Sequence, residues 1–233
     1  MDDDGASARA AFERELLRLN DRYVIEFVEA FGLCPFARTA RERGSSVRRV
    51  LWLDRLEPGA LVAYAERELA AIEGLEVAQV ILPALACTPS EFQRLATEVN
   101  RLHAERAAPN RPLFVLAPFH PAASYSDASG ARLVPFFRRT PDPTLQCVRL
   151  SVLDHIHDQR PRGTRFFDGS PEAWEALGAE PVSPSVTEQI TQSNFRVAVE
   201  RGQLAKMRAV LADIFAERYA LGGRSELVSS VGP

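Results

Sequence analysis

The first third of the chain carries a helical pattern of apolar residues that stops at a glycine. Between Ser7 and Phe31 apolar residues recur at steps of three and four, which predicts a long helix with one buried stripe. The stripe consists of Phe12, Leu16, Leu19, Tyr23, Phe27 and Phe31. Gly32 ends the pattern, and a short basic segment from Ala37 to Arg43 is also helical in character.

Apolar runs alternate with helical patterns over the next part of the chain. The runs Val47 to Asp54, Val77 to Leu85 and Leu113 to Phe119 are typical of β-strands. Helices are predicted between them, over Pro58 to Glu73 and after a capping box formed by Thr88 and Glu91. This order predicts an α/β fold with a small, mainly parallel βαβαβ sheet, flanked by helices and covered by the terminal helices.

The second half of the chain has weaker periodicity. A surface loop is predicted from Pro121 to Pro135, and a helix from Leu145 to His157. Residues 160–184, rich in glycine and proline, read as an irregular excursion. Two helices follow, Ser185 to Arg201 and Leu204 to Leu221, and residues 222–233 are expected to fray. We therefore expect one globular domain over residues 1–221.

Composition narrows the class of protein. The 28 basic and 31 acidic residues give a net charge of −3, without the basic excess typical of nucleic-acid-binding proteins. No apolar run reaches the ~20 residues of a membrane span, and the acidic start differs from a secretory signal. Three cysteines without a C-x-x-C pair argue against a disulfide framework and a zinc knuckle. These features predict a cytoplasmic protein that binds neither membranes nor nucleic acid.

Cys34 lies at the junction between the first two helices. Pro35 is suited to the first position of a helix, which would make Cys34 the N-cap residue with free N–H groups facing its sulfur. Such a position lowers the pKa of a thiol, so we expect Cys34 to ionise easily. The alternative is a buried structural thiol among Leu33, Phe31 and Phe36.

His120 and an arginine pair supply further candidate chemistry. Prolines on both sides of His120 hold it extended, which suits an acid–base or ligand group, and the alternative is a histidine that hydrogen-bonds at a strand end. Arg138 and Arg139 follow two phenylalanines in a proline-rich loop. They form either an anion grip or surface ion pairs.

The remaining polar residues are assigned structural roles. Asn194 shares a helical stripe with Val186, Ile190 and Val197, so its amide either braces a loop backbone or faces the cavity of the thiol. His103 is expected to be satisfied at the edge of a buried stripe. His155 and His157 diverge too much to share a metal. Cys87 and Cys147, the latter in an apolar turn, are interpreted as structural.

Three ordered segments resemble a bacterial family called domain of unknown function 1415. They are the segments of residues 32–37, 119–121 and 139–145. The family pattern runs Leu-Asn-Leu-Cys-Pro-Phe-Ala, then Phe-His-Pro, then Asn-Arg-Ser-Pro-Tyr-Pro-Thr-Leu, and closes with an asparagine-bearing helix. The resemblance covers about Tyr23 to Gly202 and implies no activity.

The resemblance carries over residue by residue. The matching positions are Cys34, His120, Arg139, Pro143, Thr144 and Asn194. Arg138 and Asp142 depart from it, because they stand where the family pattern has asparagine and tyrosine. These charges predict a ligand that differs from that of relatives.

The leading hypothesis is an intracellular, cysteine-dependent enzyme of unassigned reaction that acts on a small anionic metabolite. In it Cys34 is the thiolate nucleophile or ligand, His120 the acid–base partner and Arg139 the anion clamp. The residues expected to bind substrate are Arg138, Thr144 and Asn194. One alternative is a protein that binds a metal or haem through Cys34 and His120. Another is a noncatalytic module whose proline-rich loop meets a protein partner. No cofactor is required by the leading hypothesis.

Overall fold

A computed structural model describes residues 3–152 and 186–229. Its helices are α1 (Asp3–Arg22), α2 (Ala37–Glu42), α3 (Pro58–Tyr64), α4 (Pro89–Ala107), α5 (Gly130–Phe137), α6 (Val186–Phe195) and α7 (Leu204–Ser229). π-Helical turns continue α1 over Tyr23–Glu29, α3 over Ala65–Leu69 and α6 over Arg196–Glu200. Within these described residues no helix combines the length and apolar character needed to cross a bilayer.

The four described strands form one mixed sheet. They are β1 (Ser46–Val50), β2 (Val77–Ile81), β3 (Phe114–Phe119) and β4 (Thr144–Arg149). The order is β1-β2-β4-β3, with β1 parallel to β2 and β4 antiparallel to both of its neighbours. β1, β2 and β3 therefore run in one direction, and β4 runs against them between β2 and β3.

Each face of the sheet packs against helices. On one face, inward residues of β2, β4 and β3 meet the apolar stripes of α3 and α4. The strand residues of this core are Ala78, Val80, Leu145, Cys147, Leu116 and Phe114. On the other face, Phe119 and Ala117 meet residues of α1, its π-helical turn, α5 and α7. This two-sided burial explains the continuous apolar pattern of the strands.

The predicted α/β class is confirmed, but the sheet is not mainly parallel. The prediction of a helix from Leu145 is wrong, because Thr144–Arg149 pairs with both β2 and β3 and helical structure begins at Leu150. Cys147 is accordingly a buried strand residue rather than part of a turn. The later part of the predicted helix, with His155 and His157, and the predicted excursion at 160–184 lie outside the described residues.

Two other boundaries differ from the sequence prediction. Residues predicted as a loop up to Pro135 include α5, which begins after Ser129, whose hydroxyl accepts a hydrogen bond from the Arg132 N–H (3.4 Å). Helix α7 continues to Ser229, past the end predicted at Leu221. The capping box at Thr88 and Glu91 is confirmed, with both reciprocal hydrogen bonds present.

Candidate functional site

A left-handed glycine turns the chain from α1 into the Cys34 loop. Gly32 has φ +64°, a conformation that glycine adopts without steric cost, and the next residue, Leu33, donates its N–H to Val28 O (2.8 Å). The Asn194 side chain of α6 donates to Leu33 O (3.0 Å). Asn194 therefore braces the loop backbone, as one of its two predicted roles required, and fixes the residue that precedes Cys34.

The backbone N–H groups of Phe36 and Ala37 lie near the sulfur of Cys34 and act to lower its pKa, as expected from its position before a helix. The Ala37 N–H also donates to the Cys34 carbonyl (3.4 Å). Cys34 is not the N-cap residue, however, because α2 begins at Ala37 and its N-cap is Phe36. The expected low pKa is also wrong: burial raises the pKa of the Cys34 thiol, and the two N–H donors offset this only in part. The resting group is a protonated, half-buried thiol.

His120 binds Cys87 rather than Cys34. It follows the end of β3, as predicted; its Nδ1 accepts from the Ala122 N–H (3.1 Å), so the proton lies on Nε2, which donates to Cys87 O (3.1 Å). Nε2 is also 3.9 Å from Cys87 Sγ. Burial lowers the pKa of His120, which favours the neutral ring. No hydrogen bond links His120 to Cys34 in the described chain, and this geometry fits a histidine that stabilises a strand end.

Arg139 is held by neighbouring loops. Its Nε donates to Pro121 O (2.7 Å), and its guanidinium lies 5.8 Å from the Tyr125 ring centre and 5.4 Å from that of Phe215. These contacts tie the segment after β3 to α7. Arg139, the arginine that matches the family pattern, therefore stabilises the fold. Its neighbour Arg138 becomes the candidate anion clamp.

Arg138 is a part-buried guanidinium without an acidic partner among the described side chains. It is the C-cap residue of α5, and its Cζ lies 5.7 Å from the centre of the Phe119 ring. Burial lowers the pKa of Arg138, and the ionisable group that acts on it is the Tyr23 hydroxyl. Among the side chains that the structure describes, in residues 6–152 and 188–222, no acidic group lies within salt-bridge distance of this guanidinium. Arg48, by contrast, is a part-buried arginine that lies 2.8 Å from Asp21.

Tyr23 lies within electrostatic reach of both Arg138 and Cys34. Its side chain is completely buried, and its hydroxyl donates to Phe137 O (2.5 Å). Burial raises the pKa of Tyr23, the Arg138 charge lowers it, and the Cys34 thiolate would raise it. Arg138 does not appear among the groups that shift the pKa of Cys34. The tyrosine hydroxyl is thus the described group that connects the two candidates.

The proline-rich loop is held together by Asp142. The hydroxyls of Thr140 and Thr144 donate to Asp142 O (2.8 and 2.9 Å). The Asp142 carboxylate accepts from Arg218 Nε (2.8 and 2.9 Å). Thr144, predicted to bind substrate, is only 1% exposed and supports this loop. The sequence predicts that the charge of Asp142 changes the ligand. In the structure that charge is instead paired with Arg218.

The structure shows no clustered metal site in its described part. No three histidine, cysteine, aspartate or glutamate side chains come together there. Two surface clefts, of about 320 and 460 Å³, lie beside Arg94 and beside Arg149. Neither is lined by Cys34, His120 or the Arg138–Arg139 pair.

Sequence reasoning placed Tyr23 only in a core stripe. A tyrosine among phenylalanines on a buried stripe is itself a signal, because its hydroxyl needs a partner when buried. The sequence could not say that this partner would be the carbonyl next to Arg138. Cys87 was likewise read as structural, although it is the cysteine that contacts His120.

A family model with the description "Protein of unknown function (DUF1415)" matches residues 16–183. That range includes Tyr23, Cys34, His120 and Arg138 but ends before Asn194. Comparison with curated proteins and with solved structures finds no match.

Proposed function

We propose that this chain, which belongs to the DUF1415 family of proteins of unknown function, is an enzyme that acts on a small organic anion. Arg138 binds the anion, and Cys34 supplies the sulfur that acts on it. The observation that carries the proposal is the part-buried guanidinium of Arg138, which has no acidic partner among the described side chains. A buried cation without an anion is costly, and a bound anion removes that cost.

The surroundings of Cys34 support a role that depends on a bound ligand. Two nearby N–H groups act to lower the pKa of the thiol and would stabilise a thiolate once it forms, whereas burial raises that pKa and keeps the resting thiol protonated. The thiol is therefore protected from indiscriminate reaction. Tyr23, Asn194 and His120 act as positioning residues: Tyr23 orders the carbonyl before Arg138, Asn194 holds the residue before Cys34, and His120 fixes the end of β3.

An intracellular location is part of the proposal. Cys34, Cys87 and Cys147 are all free thiols, which suits a reducing compartment. Cys34 would lose its proposed role in a disulfide or at a higher oxidation state.

Depletion of metabolites by matched variants tests the proposal. The wild-type protein, C34S and R138Q are incubated with the small-molecule fraction of a cell extract, which is then analysed by mass spectrometry. C87S controls for loss of a half-buried thiol, and R132Q controls for loss of an exposed arginine on the same helix as Arg138. We expect an anionic compound to be consumed by the wild type and both controls, and spared by C34S and R138Q.

Two results would refute this assignment. One is consumption of a compound by C34S at the wild-type rate, which would remove the sulfur from the reaction. The other is the absence of any compound whose level depends on Arg138. A coloured preparation, or stoichiometric metal by elemental analysis, would favour the alternative metal- or haem-binding function.

A further inference from the structure

The surroundings of Arg138 limit how much negative charge its ligand can carry. Arg139, the neighbouring cation, is already engaged by Pro121 O and by two aromatic rings. The ionisable group that acts on Arg138 is a tyrosine whose proton is donated to Phe137 O. Arg138 is thus the one of the two guanidiniums that is poorly solvated and whose N–H groups have no hydrogen-bond partner among the described side chains. A singly charged ligand leaves the pair neutral, whereas a doubly charged ligand leaves an uncompensated buried charge.

The position of Arg138 at the end of α5 also limits the negative charge that a ligand can carry. Arg138 caps the carboxyl end of α5, where the backbone carbonyl groups give partial negative charge. Phosphate sites typically use the opposite end of a helix, where several N–H groups converge on the oxygens. The carbonyl of Phe137, close to the same guanidinium, is already an acceptor for Tyr23. The site therefore disfavours a second negative charge.

The guanidinium also has a geometric preference. One of its neighbours is the Phe119 ring, 5.7 Å from Cζ, and no described side chain occupies its N–H groups with a hydrogen bond. A planar guanidinium with free N–H groups matches a planar carboxylate through two parallel hydrogen bonds. Lysine carries the same charge but cannot form this fork.

From these contacts, and resting on the proposed function, we propose that the ligand of Arg138 is a monocarboxylate rather than a phosphate or phosphate ester. The carboxylate binds the guanidinium in a bidentate manner. Selectivity for carboxylate over phosphate comes from the planar fork of the Arg138 guanidinium and from the carbonyl end of α5.

Thermal unfolding with defined anions tests this selectivity. Sodium propionate, sodium phosphate and sodium chloride are compared at equal ionic strength, slightly above neutral pH, with the wild type, R138Q, R138K and the exposed control R132Q. We expect propionate, but not phosphate, to raise the melting temperature above the chloride value in the wild type and R132Q. In R138Q the propionate effect disappears, and in R138K about tenfold more propionate is needed, because one charged hydrogen bond is lost.

The outcomes separate this inference from the proposed function. Stabilisation by phosphate that equals or exceeds that by propionate, and that is lost in R138Q, overturns the carboxylate assignment but keeps an anion site at Arg138. No Arg138-dependent stabilisation by either anion overturns both. Equal propionate binding by R138K and the wild type overturns the bidentate geometry.

Discussion

At the scale of single residues, Arg138 is expected to reduce the stability of the ligand-free protein. A desolvated cation without an acidic partner costs more than a neutral group of similar size. Loss of the contact with Phe119, worth about 0.5–1 kcal/mol at an exposed site, works in the opposite direction. We expect R138Q to unfold at the same urea concentration as the wild type or at a higher one. A clearly lower midpoint, with R132Q unchanged, would mean that Arg138 is a structural residue.

His120 gives stability a dependence on pH around and below its ordinary pKa of 6.5. Burial lowers the pKa of His120 below its ordinary value of 6.5, so the folded protein binds a proton less readily than the unfolded chain. The contribution of neutral His120 to stability is present at pH values above its pKa in the unfolded chain. It is lost as the pH falls through the pKa of His120 in the folded protein. Urea midpoints should therefore drop on acidification in the wild type, and less so in H120N.

Two carboxylates with lowered pKa values titrate below this range of pH. Arg22 lowers the pKa of Glu26, and Arg41 lowers that of Glu29, from an ordinary value of 4.5, so both titrate below it. An equal drop in the wild type and H120N would show that His120 titrates alike in the folded and unfolded states.

Part of the candidate site could be predicted from the sequence. The Cys34 turn and its N–H donors follow from a local pattern of glycine and proline. The direction of the shift in the Cys34 pKa could not be predicted in this way, because burial depends on residues far along the chain. The choice between Arg138 and Arg139 was equally out of reach, since it is decided by Tyr125 and Phe215, which come from a loop and from α7.

At the scale of elements, helix α4 closes the free edge of β3. The Asn100 side chain accepts from the Leu116 N–H (2.9 Å) and donates to Leu116 O (2.8 Å). His103 Nε2 accepts from the Phe114 N–H (3.3 Å), and the His120 N–H beyond the strand donates to Arg138 O (3.0 Å). Pro118 has no N–H to offer. Every outward N–H from Phe114 to His120 is therefore satisfied or absent, which prevents another strand from pairing here.

Loss of Asn100 should expose this edge. N100A leaves the N–H and C=O of Leu116 without partners, at a cost of about 1–3 kcal/mol in the free energy of unfolding. T97A is the matched control, because Thr97 is exposed on the same helix and its hydroxyl bonds only within that helix. Chemical denaturation measures both variants, and size-exclusion chromatography detects self-association of N100A. Equal stability of N100A and T97A would contradict the structural role of Asn100.

The elements that sequence analysis missed depend on distant partners. β4 pairs with strands that precede it by some 65 and 30 residues. Because these partners are distant, the six residues of β4 carry no local signal that distinguishes a strand from the predicted helix. Helix α5 contains Pro135, which reads as a boundary, although its N-cap at Ser129 was visible. The elements with strong local signals, namely α1, α4 and the first three strands, were predicted correctly within a few residues.

At the scale of the whole molecule, α7 ties the proline-rich loop to the rest of the fold. The Arg218–Asp142 ion pair has side chains that are 16% and 6% exposed, and Asp142 in turn holds Thr140 and Thr144. Nearer the middle of α7, Asp213 and Glu217 pair with Arg22 of α1. The last helix thus stabilises the loop that begins at Arg139, next to the proposed anion site.

Removal of Arg218 should loosen this connection. R218Q leaves the buried Asp142 carboxylate without its cation, which costs about 3–5 kcal/mol of unfolding free energy. R208Q is the control from the same helix, because Arg208 contacts Asp127 (3.7 Å) and the Tyr125 hydroxyl (3.1 Å) in exposed positions, and an exposed ion pair contributes about 0–1 kcal/mol. Urea denaturation distinguishes the two. A loss below about 1 kcal/mol in R218Q would mean that α7 does not hold the loop.

The central claim is that Arg138 and Cys34 serve one site, and the rate of Cys34 alkylation tests it most directly. Iodoacetamide labelling is followed by peptide mass spectrometry with and without propionate, in the wild type and R138Q, with Cys87 as internal reference. We predict slow labelling of Cys34 in the folded protein, because burial raises its pKa, and further slowing by propionate in the wild type only. An identical Cys34 rate with and without propionate in the wild type would contradict a shared site.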